Sequence, residues 1–390
     1  MKGYVKRAVE EPLKRVIKQF PVVLITGPRQ AGKSTLLQQQ FKDYNYVSLD
    51  DAIARSFAQK DPHLFLKTYK PPLIIDEIQY APSLLEQIKI EVDQNRRKMG
   101  QYLLTGSQIF PLMKGVSESL AGRIMIFQLY PLSWKEMSKL NPKDEQVVIH
   151  QMLKGFFPEF QVTPDLEPQF WHGAYLSTYL ERDLRTMRNI QDLGVFQQFM
   201  VLLAARTGQL LNLSEIGKEC GISQATAKDW LVALQATSVI YLLEPFHRNI
   251  TKRVVKSRKL YFVDTGLLCY LLRISTVEQL TYSPFAGHIF ENMVIMDKIK
   301  GFSEKGERPP CYFYRSSNKV EVDLLIDYGS YLDAYEIKFS ASPNKNMASS
   351  LASLKKDLPI KNAELLTLRE DPVLLGNGIT AKHWNDLSMP

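Results

Sequence analysis

The stretch FPVVLITGPRQAGKSTLLQQQF, residues 20–41, constrains this chain more than any other. The apolar run from Val22 to Thr26 reads as a buried strand, and the residues from Lys33 onward are good helix formers. Between them stands G-x-x-x-x-G-K-S, in the strand–loop–helix context that gives this pattern its meaning. The loop Gly27, Pro28, Arg29, Gln30, Ala31 and Gly32 would wrap around phosphate oxygens with the backbone N–H groups of all but Pro28, helped by the positive end of the following helix. Lys33 supplies a charge for the β- and γ-phosphates, Ser34 a hydroxyl for Mg²⁺, and Thr35 a secondary phosphate contact.

A second piece follows in PPLIIDEIQ, a short apolar run ending in Asp76 and Glu77. Such a run suits a parallel strand buried on both faces, whose C-terminal edge is where ligands bind. Asp76 is placed to hold the Mg²⁺ shell and Glu77 to act as general base on the attacking water, so hydrolysis is expected rather than binding alone. YNYVSL, QYLLTGS and RIMIFQL add further apolar strands separated by helix-like stretches, which makes the region a doubly wound parallel sheet. Thr105 or Ser107 could reach the γ-phosphate or the water, or could serve only the turn at Gly106. Arg123 is either an arginine finger, in cis or on a neighbouring subunit of a homo-oligomer, or a solvated residue before a strand. No N-K-x-D guanine reader is visible, so the expected nucleotide is ATP.

At 390 residues, 45% apolar and 23% charged, the chain should fold as two or three domains without long disordered tracts. No apolar run approaches the roughly 20 residues of a membrane span, and the N-terminus lacks the apolar stretch of a signal peptide, so a cytoplasmic location is expected. Cys220, Cys269 and Cys311 are odd in number and match no metal-ligand spacing. A net charge of +8 and a pI near 9.1 favour an anionic partner without deciding which.

Residues 213–236, LSEIGKECGISQATAKDWLVALQA, read as two short helices around a turn at Gly221. Ser214 and Ser223 are the expected caps, and Ala227, Trp230, Leu231 and Leu234 recur at helical spacing. The hairpin-like stretch that follows carries Arg248, Lys252, Arg253, Lys256, Arg258 and Lys259 without an intervening acid. A winged helix with a basic wing fits this order, with Gln224, Lys228, Lys252, Arg253, Lys256, Arg258 and Lys259 as contacts to DNA. A spacer or protein-docking role fits it as well.

In VEVDLLIDYGSYLDAYEIKFS, residues 320–340, a two-residue loop at Gly329-Ser330 sets Tyr328 against Tyr331 and Asp323 against Glu336. Lys338 falls on the same face as Glu336. Two opposed carboxylates repel unless something neutralises them, and Mg²⁺ or Mn²⁺ is the expected neutraliser. A metal held there could cut phosphodiesters; alternatively Lys338 simply bridges Glu336 or Glu321 on a wet face.

Gly27 to Thr35, LIIDE and LTGS together resemble an AAA+ class P-loop ATPase. YLSTYLERDL, KLYFVDTGL and EVDLLI...YEIK are similar to a widespread prokaryotic family of two-part ATPases, over essentially the whole chain. The D-(x)n-E-x-K order resembles the PD-(D/E)xK, restriction-endonuclease-like fold, with Val322 where a proline would stand; the resemblance implies Glu291, on a preceding helix, as a further acid beside Asp323, Glu336 and Lys338. The expected organisation is an α/β P-loop sheet over 1–140, a helical and winged-helix segment over 141–260, and an α/β nuclease-like domain over 261–390. ATP and Mg²⁺ are the implied cofactors, with a second Mg²⁺ or Mn²⁺ at the nuclease-like site. The implied output is either action on DNA or an ATP-gated switch whose C-terminal fold docks a protein and cuts nothing.

Overall fold

The computed structural model describes residues 3–107, 120–180, 192–247, 257–316, 318 and 320–386. The N-terminal third is built on strands β1 (Val22–Thr26), β2 (Asn45–Ser48), β3 (Leu73–Asp76), β4 (Tyr102–Gly106) and β5 (Ile124–Gln128). Their order is β2-β3-β4-β1-β5, and every pairing is parallel. Leu24 and Ile25 lie in separate cores on opposite faces of the sheet, which is why β1 reads as an unbroken apolar run. Removing each such side chain from water contributes about 1.5–3 kcal/mol.

The second sheet has eight strands: β6 (Ile240–Pro245), β7 (Lys259–Phe262), β8 (Cys311–Arg315), β9 (Glu321–Asp327), β10 (Leu332–Ile337), β11 (Ile360–Thr367), β12 (Val373–Gly376) and β13 (Ile379–His383). They run in the order β12-β13-β11-β10-β9-β8-β6-β7. The β9–β10 register pairs Leu332 with Asp327 and Tyr335 with Leu324, the one counted from the Gly329-Ser330 loop, and Gly329 adopts φ +82°. Continuing that register sets Asp323 against Glu336.

Helices Leu213–Glu219 and Gln224–Ala236 meet at Gly221, whose φ is +68°. Ser223 caps the second helix as expected, but Asn212, not Ser214, caps the first, through Glu215 N–H. The following hairpin is not a free wing. β6 pairs in parallel with β8 at Glu244–Tyr312 and Pro245–Phe313, so β6 and β7 end the C-terminal sheet, and the expected boundary at 260/261 falls inside β7. One continuous core, from Tyr130 to Trp384, joins the middle helices to this sheet. Arg248, Lys252, Arg253 and Lys256 lie outside the described residues. No described helix is long and apolar enough to cross a membrane.

Candidate nucleotide site and carboxylate cluster

The loop between β1 and the helix Lys33–Gln40 closes because two positions accept backbone angles that L side chains resist. Gly27 has φ +145°, and a Cβ there would sit 2.0 Å from the Leu129 carbonyl oxygen; Gly32 has φ +88°. Lys33 is buried, with its ammonium donating to the carbonyls of Gly27 at 3.1 Å and Pro28 at 2.9 Å. Pro28 and Ala31 complete the buried side of the loop, while the Arg29 guanidinium donates to Tyr80 Oη at 3.0 Å.

Parallel pairing brings the ends of β3 and β4 beside this loop. Ser34 Oγ donates to Asp76 Oδ1 at 2.6 Å; Thr105 Oγ1 donates to the same oxygen, and Tyr46 Oη donates to Oδ2 at 3.0 Å. Burial and the neighbouring Asp76 push the Tyr46 phenol up to about 12. The hydroxyl and carboxylate oxygens of Ser34 and Asp76 are the hard donors that Mg²⁺ prefers, so the donor set fits that ion. Glu77 is a buried carboxylate at φ +57°, a left-handed conformation worth about 1–2 kcal/mol of strain for a residue with a Cβ. Its N–H donates to Thr105 Oγ1 at 3.0 Å, and its carboxylate accepts from Gln79 Nε2, which also donates to Ser107 Oγ at 3.1 Å. Gln79 therefore ties Glu77 to Ser107, a link absent from the sequence reading although Gln79 stands two residues past the acid.

The sequence reading also missed Arg7. This buried guanidinium donates to the Ala31 carbonyl at 2.7 Å, the Tyr130 carbonyl at 2.7 Å and Glu136 Oε1 at 2.9 Å, so it braces the loop from behind. Beside it lies a cavity of about 240 Å³ between Tyr4, Val5, Gln30, Gly32, Thr35 and Val162. Arg123 is placed elsewhere: it precedes β5 at the N-terminal edge of the sheet and pairs with Asp93 at 2.6 Å. A five-residue strand separates the two edges by roughly 16 Å, so a finger in cis does not fit this placement.

The C-terminal sheet does gather Glu291, Asp323, Glu336 and Lys338. Lys338 Nζ donates to Glu336 Oε1 at 2.7 Å and lies 3.7 Å from Asp323 Oδ2, which also accepts Ile337 N–H at 3.0 Å. The unforeseen member is Lys259, expected on a DNA-facing surface but only 1% exposed. Its ammonium lies 2.7 Å from Glu321 Oε1, 3.4 Å from Glu291 Oε1 and 3.5 Å from Asp323 Oδ1. Tyr261 Oη donates to Glu291 Oε1 at 2.6 Å. Burial would discharge Lys259, but Glu291, Asp323 and Glu321 outweigh it and raise its pKa. Burial and Asp323 push the Glu336 carboxyl up to about 8; burial and Glu291 raise Asp323. Burial opposes ionisation of Glu291 too, yet Lys259 and its hydrogen-bond donors hold it down to about 2. With an ammonium among the carboxylates, the residues do not fit a divalent metal as they stand, and no group of three or more His, Cys, Asp or Glu side chains among the described residues is arranged to hold one. Of the other expected DNA contacts, Gln224 and Lys228 are exposed on the second helix, whereas Arg258 lies 3.4 Å from Glu244 Oε1.

Residues 19–138 match an AAA domain family, AAA_14; residues 145–278 and 286–387 match two domains of unknown function, DUF8612 and DUF4143. The parallel sheet and its P-loop lie within the residues that match the AAA domain. A Walker-type ATPase of Pyrococcus abyssi is similar at a TM-score of 0.43 and 14% identity, covering 69% of this chain and 96% of that one. The uncharacterized protein MJ1544 of Methanocaldococcus jannaschii is 25% identical over 90% of this chain and 82% of its own. The uncharacterized protein Rv2008c of Mycobacterium tuberculosis is 30% identical over 354 residues, covering 90% of this chain and 78% of its own. On that identity and coverage, the chain belongs to the same family as Rv2008c.

Proposed function

We propose that this protein is a Mg²⁺-dependent ATP hydrolase whose nucleotide state sets the conformation of its C-terminal half, acting as a switch rather than as a nuclease. The carrying observation is the 2.6 Å contact between Ser34 and Asp76, with strained, hydrogen-bonded Glu77 next in the chain. In this reading the loop from Gly27 to Gly32 cradles the triphosphate and Lys33 turns from its two carbonyls to the β- and γ-phosphates. The base enters the cavity between Tyr4, Val5 and Val162. Mg²⁺, when bound through Ser34 and Asp76, supplies charge neutralisation at the phosphates. Glu77, steadied by Gln79, accepts the proton of the attacking water, while Ser107 orients the γ-phosphate. Calorimetry with MgATP tests the binding step: Lys33→Ala should abolish the heat of wild type, and absence of that heat in wild type would refute the reading.

The helix acid, hairpin aspartate and E-x-K order supports a nuclease-like ancestry for the C-terminal sheet, and the position of Lys259 supports the docking alternative over cleavage. Supercoiled DNA incubated with Mg²⁺ or Mn²⁺, with and without ATP, should stay intact. A second reading, that the middle segment touches nucleic acid, is favoured by Gln224 and Lys228, exposed near the start of one helix. It requires DNA affinity that weakens steeply with salt and drops in Lys228→Ala. If Arg123 acts as a finger, it acts on a neighbouring copy. Mixed Lys33→Ala and Arg123→Ala subunits would then recover turnover that neither shows alone.

A further inference from the structure

The carboxylate cluster of the C-terminal sheet contains its own cation. Glu291 comes from the helix Ala286–Glu304, Glu321 and Asp323 from β9, and Glu336 from β10. Side chains from three elements therefore converge, Glu291, Asp323 and Glu336 buried and Glu321 partly exposed, and carboxylates so close ionise together only at a cost unless something positive sits between them. In this protein that group is the ammonium of Lys259, within 3.5 Å of three of the four carboxylates, with Lys338 serving the fourth.

Lys259 does not hang into the cluster on a free arm. Its strand, β7, pairs with β6 through Leu243 on one side and bridges to Leu210 on the other, where Leu260 N–H donates to the Gln209 carbonyl at 3.2 Å and Leu211 N–H to the Arg258 carbonyl at 2.9 Å. The backbone is thus held on both edges, and the ammonium lies 5.8 Å from the centre of the Phe313 ring. Tyr261, two residues along the same strand and on the same face, hydrogen-bonds Glu291 from that side.

We propose that Lys259 is the permanent cation of this site, a covalently tethered substitute for a divalent metal, so that the C-terminal unit is closed to Mg²⁺ and Mn²⁺. A divalent ion needs its oxygen ligands at about 2.0–2.6 Å on every side, and the ammonium already occupies the common neighbourhood of Glu291, Glu321 and Asp323. Entry of a metal would bring a second positive charge against one that is already buried among these carboxylates. The inference has a corollary: deleting the charge while keeping the volume, as in Lys259→Met, opens a metal site that the wild type lacks. It stands apart from the ATPase reading, since none of these residues belongs to the P-loop or to the Asp76–Glu77 pair.

The test is Mn²⁺ binding to the nucleotide-free full chain, followed by the electron paramagnetic resonance of free Mn²⁺, in wild type, Asp323→Asn, Lys259→Met and the double variant. Subtracting the Asp323→Asn signal removes any Mn²⁺ held by Ser34 and Asp76. Wild type should show no Asp323-dependent binding. Lys259→Met should gain one equivalent that disappears in the double variant, and Mn²⁺ should raise its melting temperature. Asp323-dependent Mn²⁺ uptake by wild type would overturn the proposal, as would a folded Lys259→Met that gains none. If Lys259→Met is unfolded without metal, recovery of its ATP turnover on refolding with Mn²⁺ supports the proposal, and failure to recover counts against it.

Discussion

Ser34 and Asp76, 42 positions apart in the chain, are joined by a 2.6 Å hydrogen bond at the mouth of the P-loop. The parallel order β3-β4-β1 makes that meeting possible, because it sets the ends of three strands side by side. Glu77 follows Asp76 at a positive φ, so its carboxylate leaves the strand direction and turns to Gln79. Strain at a buried acid beside this loop is the observation that carries the proposed role of Glu77. Glu77→Gln should keep MgATP affinity within a few-fold while turnover falls about 10²–10⁴-fold. Phosphate release and calorimetry read the two separately, and a loss confined to affinity would remove the base from Glu77.

Gly27 gives a sharper test of the cradle. The oxygen that an added Cβ would meet at 2.0 Å belongs to the backbone of Leu129, which is itself held by a 2.7 Å bond from its N–H to the Thr26 carbonyl. Neither partner can yield without shifting β1 against the chain leaving β5. Gly27→Ala should therefore weaken MgATP binding roughly tenfold or more. Binding unchanged by that methyl group would mean that the loop is not the cradle.

The parallel sheet and the glycine loop after β1 were legible because their signals are local. An apolar run, two glycines and a lysine at fixed spacing state both a shape and a chemistry. Arg7 was not legible, since its partner Glu136 lies 129 residues away and nothing near position 7 announces a buried arginine. Lys259 was misread for a different reason. A run of basic residues looks like one surface, yet in a strand alternate residues face opposite ways, and the alternation that places Lys259 with Tyr261 separates it from Arg258. The hairpin register came out correctly because a two-residue loop leaves no freedom in the count.

Arg7 should be a structural and a functional hinge together. Arg7→Met leaves Glu136 buried without its counter-charge and frees the carbonyls of Ala31 and Tyr130. Breaking a buried pair in this way typically costs about 3–5 kcal/mol. Chemical denaturation should show that loss, and calorimetry should show weaker MgATP binding in whatever remains folded. A penalty below about 1 kcal/mol would place the pair among those that surface water already screens.

The Glu336 carboxyl predicts a pH dependence of stability with a definite sign. Burial and Asp323 raise it from 4.5 to about 8, so between those values the folded protein holds a proton that the unfolded chain has released. Its contribution is full below pH 4.5 and is lost as pH rises toward 8. Glu304, half-buried beside Glu136 and also raised to about 8, acts in the same direction. Glu336→Gln keeps an oxygen for Lys338 but cannot ionise. Its melting temperature should match wild type at low pH and exceed it by a few degrees above pH 8, with part of the slope surviving through Glu304. Parallel melting curves for the two proteins across that range would rule out the assignment.

Asp264 ties the chain at Gly155–Phe156 to the helix Thr265–Leu271. Its Oδ1 accepts Leu267 N–H at 3.0 Å and so caps the helix Thr265–Leu271, while its Oδ2 accepts Phe156 N–H at 2.6 Å. Gly155 allows this approach, because a Cβ there would lie 2.4 Å from Asp264 Oδ1. Three residues on, Pro158 and then Val162 line the cavity beside Gly32. Asp264→Ala removes a cap worth about 0.5–2 kcal/mol and strands a buried N–H at a further 1–3 kcal/mol or so. The C-terminal sheet should then lose stability by roughly 1.5–5 kcal/mol, and affinity for MgATP should fall although no P-loop residue is changed. Asp264→Asn, which retains one acceptor oxygen, should fall between the two. If denaturation shows the stability loss while nucleotide affinity holds at the wild-type value, the joint is structural only, and the switch must communicate by way of Arg7 and the segment from Tyr130 to Glu136.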